Sequence, residues 1–225
     1  MNTLKFISLF FGLLLSCYSE NSHSPLSTKT YLALGDSYTI GESVAEEKQW
    51  PRQLVAQLNK KGMTLAPPRI IAKTGWTTDE LYNEIQQASL LSSYDYVSLL
   101  IGVNNQYRGR SVSSFIPEIN RLLEKAIQLS GNQPDRVFVL SIPDWGVMPF
   151  AEGRNREQIS KEIDDYNHAL KEACQRFNVA FFNITPISRR ASITPELVAS
   201  DGLHPSGKMY QAWVDTVLPF FNLLP

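Results

Sequence analysis

The sequence predicts an α/β fold, a flavodoxin-like three-layer sandwich with a five-stranded parallel sheet. Short apolar runs alternate with segments of helical period along most of the chain, the pattern of parallel strands covered by helices on both faces. Hydrophobic residues make up 43% and charged residues 19%, enough to fill a core and unlike a disordered chain or a polytopic membrane protein. At 225 residues the chain suits one domain rather than two.

The predicted strands are 30–34, 69–72, 94–101, 136–142 and 179–182. After the first strand, Trp50, Leu54, Val55 and Leu58 share one helical face, with Pro51 tolerated in the opening turn. Thr77 and Glu80 form a capping-box pattern before a helix that carries Leu81 and Ile85 inward. Phe115, Ile119, Leu122, Leu123, Ala126 and Ile127 mark a third stripe. Ile159, Ile163, Tyr166, Leu170, Ala173 and Phe177 mark a fourth, and a final helix from Ser206 buries Tyr210, Trp213, Val214 and Val217.

Residues 1–16 read as a signal peptide: Lys5 supplies a positive charge, and the apolar run 6–15, interrupted only by Ser8 and Gly12, is short for a bilayer span. The following Leu14-Leu15-Ser16-Cys17 resembles a bacterial lipobox, which makes Cys17 the candidate lipidation site and the bacterial cell envelope the expected location. An ordinary leader cut between Ser16 and Ser24 is the alternative. Residues 17–29, rich in Ser, Asn and Thr, read as a tether, and 30–225 as the domain. The membrane is then a partner only through the lipid anchor.

The net charge of −1 gives no reason to expect nucleic acid as a partner. With Cys17 lipidated, Cys174 stands alone on an apolar helix face, a small buried hydrophobe without a disulfide. No CxxC pair or His-rich cluster has metal-ligand spacing, so neither metal nor other cofactor is expected.

In an open parallel sheet, ligands bind outside the carboxyl ends of the strands. Strand one exits into Gly35-Asp36-Ser37-Tyr38, strand two into Lys73-Thr74-Gly75-Trp76 and strand three into Gly102-Val103-Asn104-Asn105. Strand four exits into Pro143-Asp144-Trp145-Gly146, and the chain after strand five leads to Asp201-Gly202-Leu203-His204-Pro205. Gly-Asp-Ser near the N-terminus, a Gly after strand two, Gly-x-Asn after strand three and Asp-x-x-His-Pro near the C-terminus occur in this order. Together they resemble the SGNH/GDSL hydrolases across the whole presumed domain. Two positions depart from that pattern: Tyr38 replaces the usual Leu after the serine, and Asn105 replaces a common Asp.

The chemistry assigns the catalytic roles independently. A serine hydroxyl needs a neighbouring base to become nucleophilic, and near neutral pH imidazole is the natural one. Of the three histidines, His23 lies in the tether and His168 falls on a helix face opposite Ile163 and Leu170. His204 is left as the base for Ser37, and Asp201, three residues earlier, can accept its imidazole N–H and fix the tautomer. Asp36 is read as structural, pinning the Ser37 turn through backbone N–H groups. The resemblance implies an oxyanion hole made by the Ser37 and Gly75 backbone N–H groups and the Asn104 side-chain amide. Trp76, Asn105 and Trp145 are the candidates for substrate contact, with Tyr107 near them.

These residues imply a serine esterase acting on small acyl, acetyl-like esters of a polar alcohol such as a sugar, with a small-molecule ester as partner. The same site would also suit a lysophospholipase, a thioesterase or a sugar O-acyltransferase. A catalytically inert, lipid-anchored binding protein is the alternative outside enzymes.

Overall fold

The computed structural model describes residues 28–222, and the leader, Cys17 and most of the tether lie outside them. Five parallel strands form one sheet in the order β2-β1-β3-β4-β5: β1 (Tyr31–Gly35), β2 (Arg69–Ala72), β3 (Tyr96–Leu100), β4 (Val137–Leu140) and β5 (Ala180–Phe182). Each coincides with a predicted run to within two residues at either end. The three central strands are buried along their whole length, which is why they read as unbroken apolar runs. The edge strands β2 and β5 are only partly covered.

Helices cover both faces, as the fold class predicts. On one side α2 (Trp50–Lys60) packs against α8 (Gly207–Val217); on the other α3 (Thr78–Gln87) packs on α5 (Val112–Leu129) and α5 on α6 (Arg156–Arg176). The stripe residues read from the sequence are buried, including Trp50, Leu54, Phe115, Leu122, Ile163, Leu170, Tyr210 and Trp213, except Ile127 and Phe177, which are partly covered. Glu80 accepts the Thr77 N–H at 2.9 Å, closing the capping box that opens α3, and Ser206 caps α8 through the Met209 N–H. Cys174 is buried without a disulfide partner among the described residues, and burial pushes its thiol up to about 12. His168 stays on the surface, 3.3 Å from Glu172.

Three short helices were not legible in the sequence: α1 (Ser37–Ile40), α4 (Val103–Tyr107) and α7 (Thr185–Arg189). None is long enough to display a hydrophobic period. Two of them carry candidate site residues, because α1 and α4 follow β1 and β3, and β1 is where the strand order reverses direction. The crevice at this switch point is where an open α/β sheet offers a ligand site.

Candidate active site

β1 ends at Gly35, where a Cβ would stand 2.1 Å from Thr39 Oγ1 and 2.4 Å from the Leu100 carbonyl oxygen. Only glycine lets the chain turn this sharply out of the sheet. Asp36 then caps α1, its Oδ1 accepting the Tyr38 N–H at 3.0 Å, and Ser37 opens the helix. The backbone N–H of Ser37 thus belongs to the first turn, which lacks intrahelical acceptors. Asp36 is fully buried, and burial raises its carboxyl to about 7 against the opposing effect of the Tyr38 N–H.

His204 and Asp201 come from the segment before α8. An isolated bridge between Val198 and Pro205 ties that segment's two ends, supported by Ala199 N–H to the His204 carbonyl at 2.8 Å. Inside the loop, Asp201 Oδ1 accepts the N–H groups of Leu203 and His204, each at 2.9 Å. Its Oδ2 lies 2.6 Å from His204 Nδ1 and accepts the Ser43 hydroxyl at 2.6 Å. Partial burial works against the Asp201 charge, but the bonds from Ser43, from the His204 ring and from the two backbone N–H groups outweigh it and hold the carboxyl well below the usual range. Tyr38 packs edge-on to His204, with ring centroids 5.7 Å apart, and also to Trp213 at 6.3 Å. The Tyr that replaces the usual Leu is therefore a packing contact beside the histidine.

Ser37, Gly75, Asn104 and His204 line one pocket of about 220 Å³. Gly75 has φ +86°, and a Cβ there would meet nothing closer than Arg108 at 4.0 Å, so its conformation rather than crowding calls for glycine. Three side chains hold this loop. Arg108 Nη2 donates to the Gly75 carbonyl at 2.6 Å while paired with Glu80, Asn104 Nδ2 donates to the Trp76 carbonyl at 2.9 Å, and the Thr74 hydroxyl donates to Glu42. Asn104 thus has its amide oriented by one N–H, leaving the other for the pocket.

The substrate-contact candidates divide. Trp145 lines the pocket, its indole N–H fixed on Gln106 Oε1 at 2.7 Å. Trp76 does not line it and contributes its carbonyl to Asn104 instead. Asn105 is fully buried away from the pocket. Its Oδ1 accepts the Thr78 N–H at 3.1 Å, and its Nδ2 donates to Thr78 Oγ1 and Glu118 Oε2 at 2.6 and 3.1 Å. That amide bridges α4 to α3 and α5 and has no group left for substrate, which corrects the expectation for this residue.

Tyr107, half exposed, completes an aromatic wall with Trp145 and Phe150. Phe150, Leu203, Val103 and Ser43 escaped the sequence reading. Phe150 lies in a single 3-10 turn, Pro149–Ala151, and Leu203 in an irregular segment, where no period marks a side chain's direction. Ser43 acts across 158 positions of sequence. Among the described residues no group of His, Cys, Asp and Glu is arranged to hold a metal, and no helix is long and apolar enough to cross a membrane.

Residues 33–212 match the model of the GDSL-like lipase/acylhydrolase family. No protein of curated function matches the sequence. Among solved structures, the chain resembles a lipase/acylhydrolase from Enterococcus faecalis with a TM-score of 0.68 at 17% identity, covering 88% of this chain and 98% of that one. A member of the lipolytic G-D-S-L family from Veillonella parvula gives 0.67 at 16% identity, covering 87% and 99%. The acetylxylan esterase Axe2 from Geobacillus stearothermophilus gives 0.67 at 16% identity, covering 88% and 97%. At such identities these likenesses speak for the fold, and the match across most of the sequence decides membership: the chain belongs to the GDSL-like lipase/acylhydrolase family.

Proposed function

We propose that this protein is an exported serine esterase that removes small acyl groups, acetate first, from a polar alcohol such as a sugar. The observation that carries the reading is the 2.6 Å Asp201–His204 pair, whose histidine shares a pocket with Ser37, Gly75 and Asn104. Ser37 Oγ attacks the ester carbonyl carbon while His204 Nε2 takes its proton, and the carbonyl oxygen becomes the anion. Asp201, held ionised, keeps the other ring nitrogen as the N–H and stabilises the imidazolium. The N–H groups of Ser37 and Gly75 and the Asn104 amide face the developing oxyanion, donors fixed before charge appears. Collapse expels the alcohol, which leaves with the proton from His204. Water then attacks the acyl-enzyme with the same base, releasing the acid and restoring Ser37.

Two features support small acyl groups. The pocket is modest, and the rim segments between elements are too short for a lid domain. Its wall of Tyr107, Trp145 and Phe150 suits the apolar face of a polar ring.

A nitrophenyl ester series from acetate to decanoate tests this directly. Activity should fall steeply beyond about four to six acyl carbons, where further methylenes, worth ~0.8 kcal/mol each when enclosed, no longer find a wall. kcat/KM rising through decanoate would overturn the small-acyl reading in favour of a lysophospholipase or thioesterase.

A further inference from the structure

The aromatic wall holds a cation. Arg154, in the loop before α6, places its Cζ 5.4 Å from the Tyr107 ring centroid, 5.3 Å from Trp145 and 5.0 Å from Phe150. Its Nη2 also donates to the Tyr107 hydroxyl at 3.3 Å. Arg154 is exposed and does not itself line the pocket, and its guanidinium rests against these rings with most of its N–H groups uncommitted among the described residues. Among the described residues it forms no ion pair, whereas Arg108 on the neighbouring loop is committed to Glu80 and Arg189 to Asp144 and Asp164. The pocket lining beside it contains no acidic side chain. A charge without an ion-pair partner among the described residues, seated against rings that line an acid-free pocket, is placed to receive an anion.

We propose that Arg154 selects an ester whose alcohol carries a carboxylate, and that the substrate class is an acetylated acidic sugar, a uronate. This rests on the esterase reading and deepens it. The sugar's acetyl group reaches Ser37, and its carboxylate meets the guanidinium, whose planar fork matches two carboxylate oxygens. A neutral sugar would lack that contact.

The test compares acetate release from mono-O-acetylated methyl glucuronide and from the methyl ester of the same compound, in which a methyl group replaces the charge. The unsubstituted protein and Arg154→Lys, Arg154→Gln and Arg154→Glu variants are measured, with thermal unfolding checking each fold. The charged-to-neutral ratio of kcat/KM should be about tenfold in the parent, smaller in Arg154→Lys, near one in Arg154→Gln and below one in Arg154→Glu. A purely structural Arg154 would change both substrates alike and leave the ratio untouched. A ratio near one in the parent, or one equal across all four proteins, overturns the proposal while the esterase reading stands. Failure of the parent to release acetate from either sugar or from nitrophenyl acetate sinks the esterase reading, and this proposal with it.

Discussion

Ser43 stands in the left-handed region at φ 63°, a conformation that a residue other than glycine adopts at some cost, and its hydroxyl bonds to the oxygen of Asp201 that also meets His204. The strain coincides with a contact to the Asp201–His204 pair, so the side chain explains why the backbone is held there. Ser43→Ala should lower kcat/KM by about tenfold, equivalent to ~1.4 kcal/mol, by loosening Asp201 without removing any reacting atom. Unchanged steady-state kinetics would show that Asp201 is fixed without it. Ser37, Asp201 and His204 were legible because each chemistry-bearing residue falls at a strand exit or in a motif with fixed spacing. Ser43 was not, since a lone serine in an exposed turn carries no periodic or compositional signal and its partner is remote in sequence.

At the level of elements, the strands and long helices could be read because burial on one or both faces writes itself into apolar patterning. The short helices α1, α4 and α7 could not, because a turn or two of helix holds too few residues to repeat. This failure explains the correction at Asn105. Read as the end of a loop beside the site, it belongs instead to α4 and points between α3 and α5, where Thr78 and Glu118 absorb its amide. The departure from the family's Asp then has a local reason. The side-chain N–H2 donates to the Glu118 carboxylate at 3.1 Å, and a carboxylate in its place would face like charge. Asn105→Asp should cost about 1–3 kcal/mol of stability in urea unfolding at pH 7, and less at acidic pH, where the pair can share a proton. Stability equal to that of the parent at both pH values would remove this explanation.

For the molecule as a whole, the site sits over a core that includes the buried carboxyl of Asp36, whose Oδ2 has no partner among the described residues. Its carboxyl is raised to about 7 in the fold against about 3.9 in an unfolded chain, so the native state holds a proton that the unfolded state has lost. Stability from this group is therefore lost as pH rises from about 4 to about 7. Asp201 acts in the opposite sense, its lowered carboxyl giving stability above the unfolded value that is lost as the solution becomes strongly acidic. Asp36→Asn, which keeps the acceptor for the Tyr38 N–H, should flatten the fall in Tm between pH 4 and 7; an unaltered slope in thermal denaturation would place the effect elsewhere. The pairing of nucleophile, base and oxyanion donors in one pocket bears on every functional conclusion, and fluorophosphonate labelling read by intact mass and peptide mapping tests it most directly. One adduct should form, on Ser37, and be absent from a folded Ser37→Ala variant; an adduct elsewhere, or one that survives the substitution, would contradict Ser37 as the nucleophile.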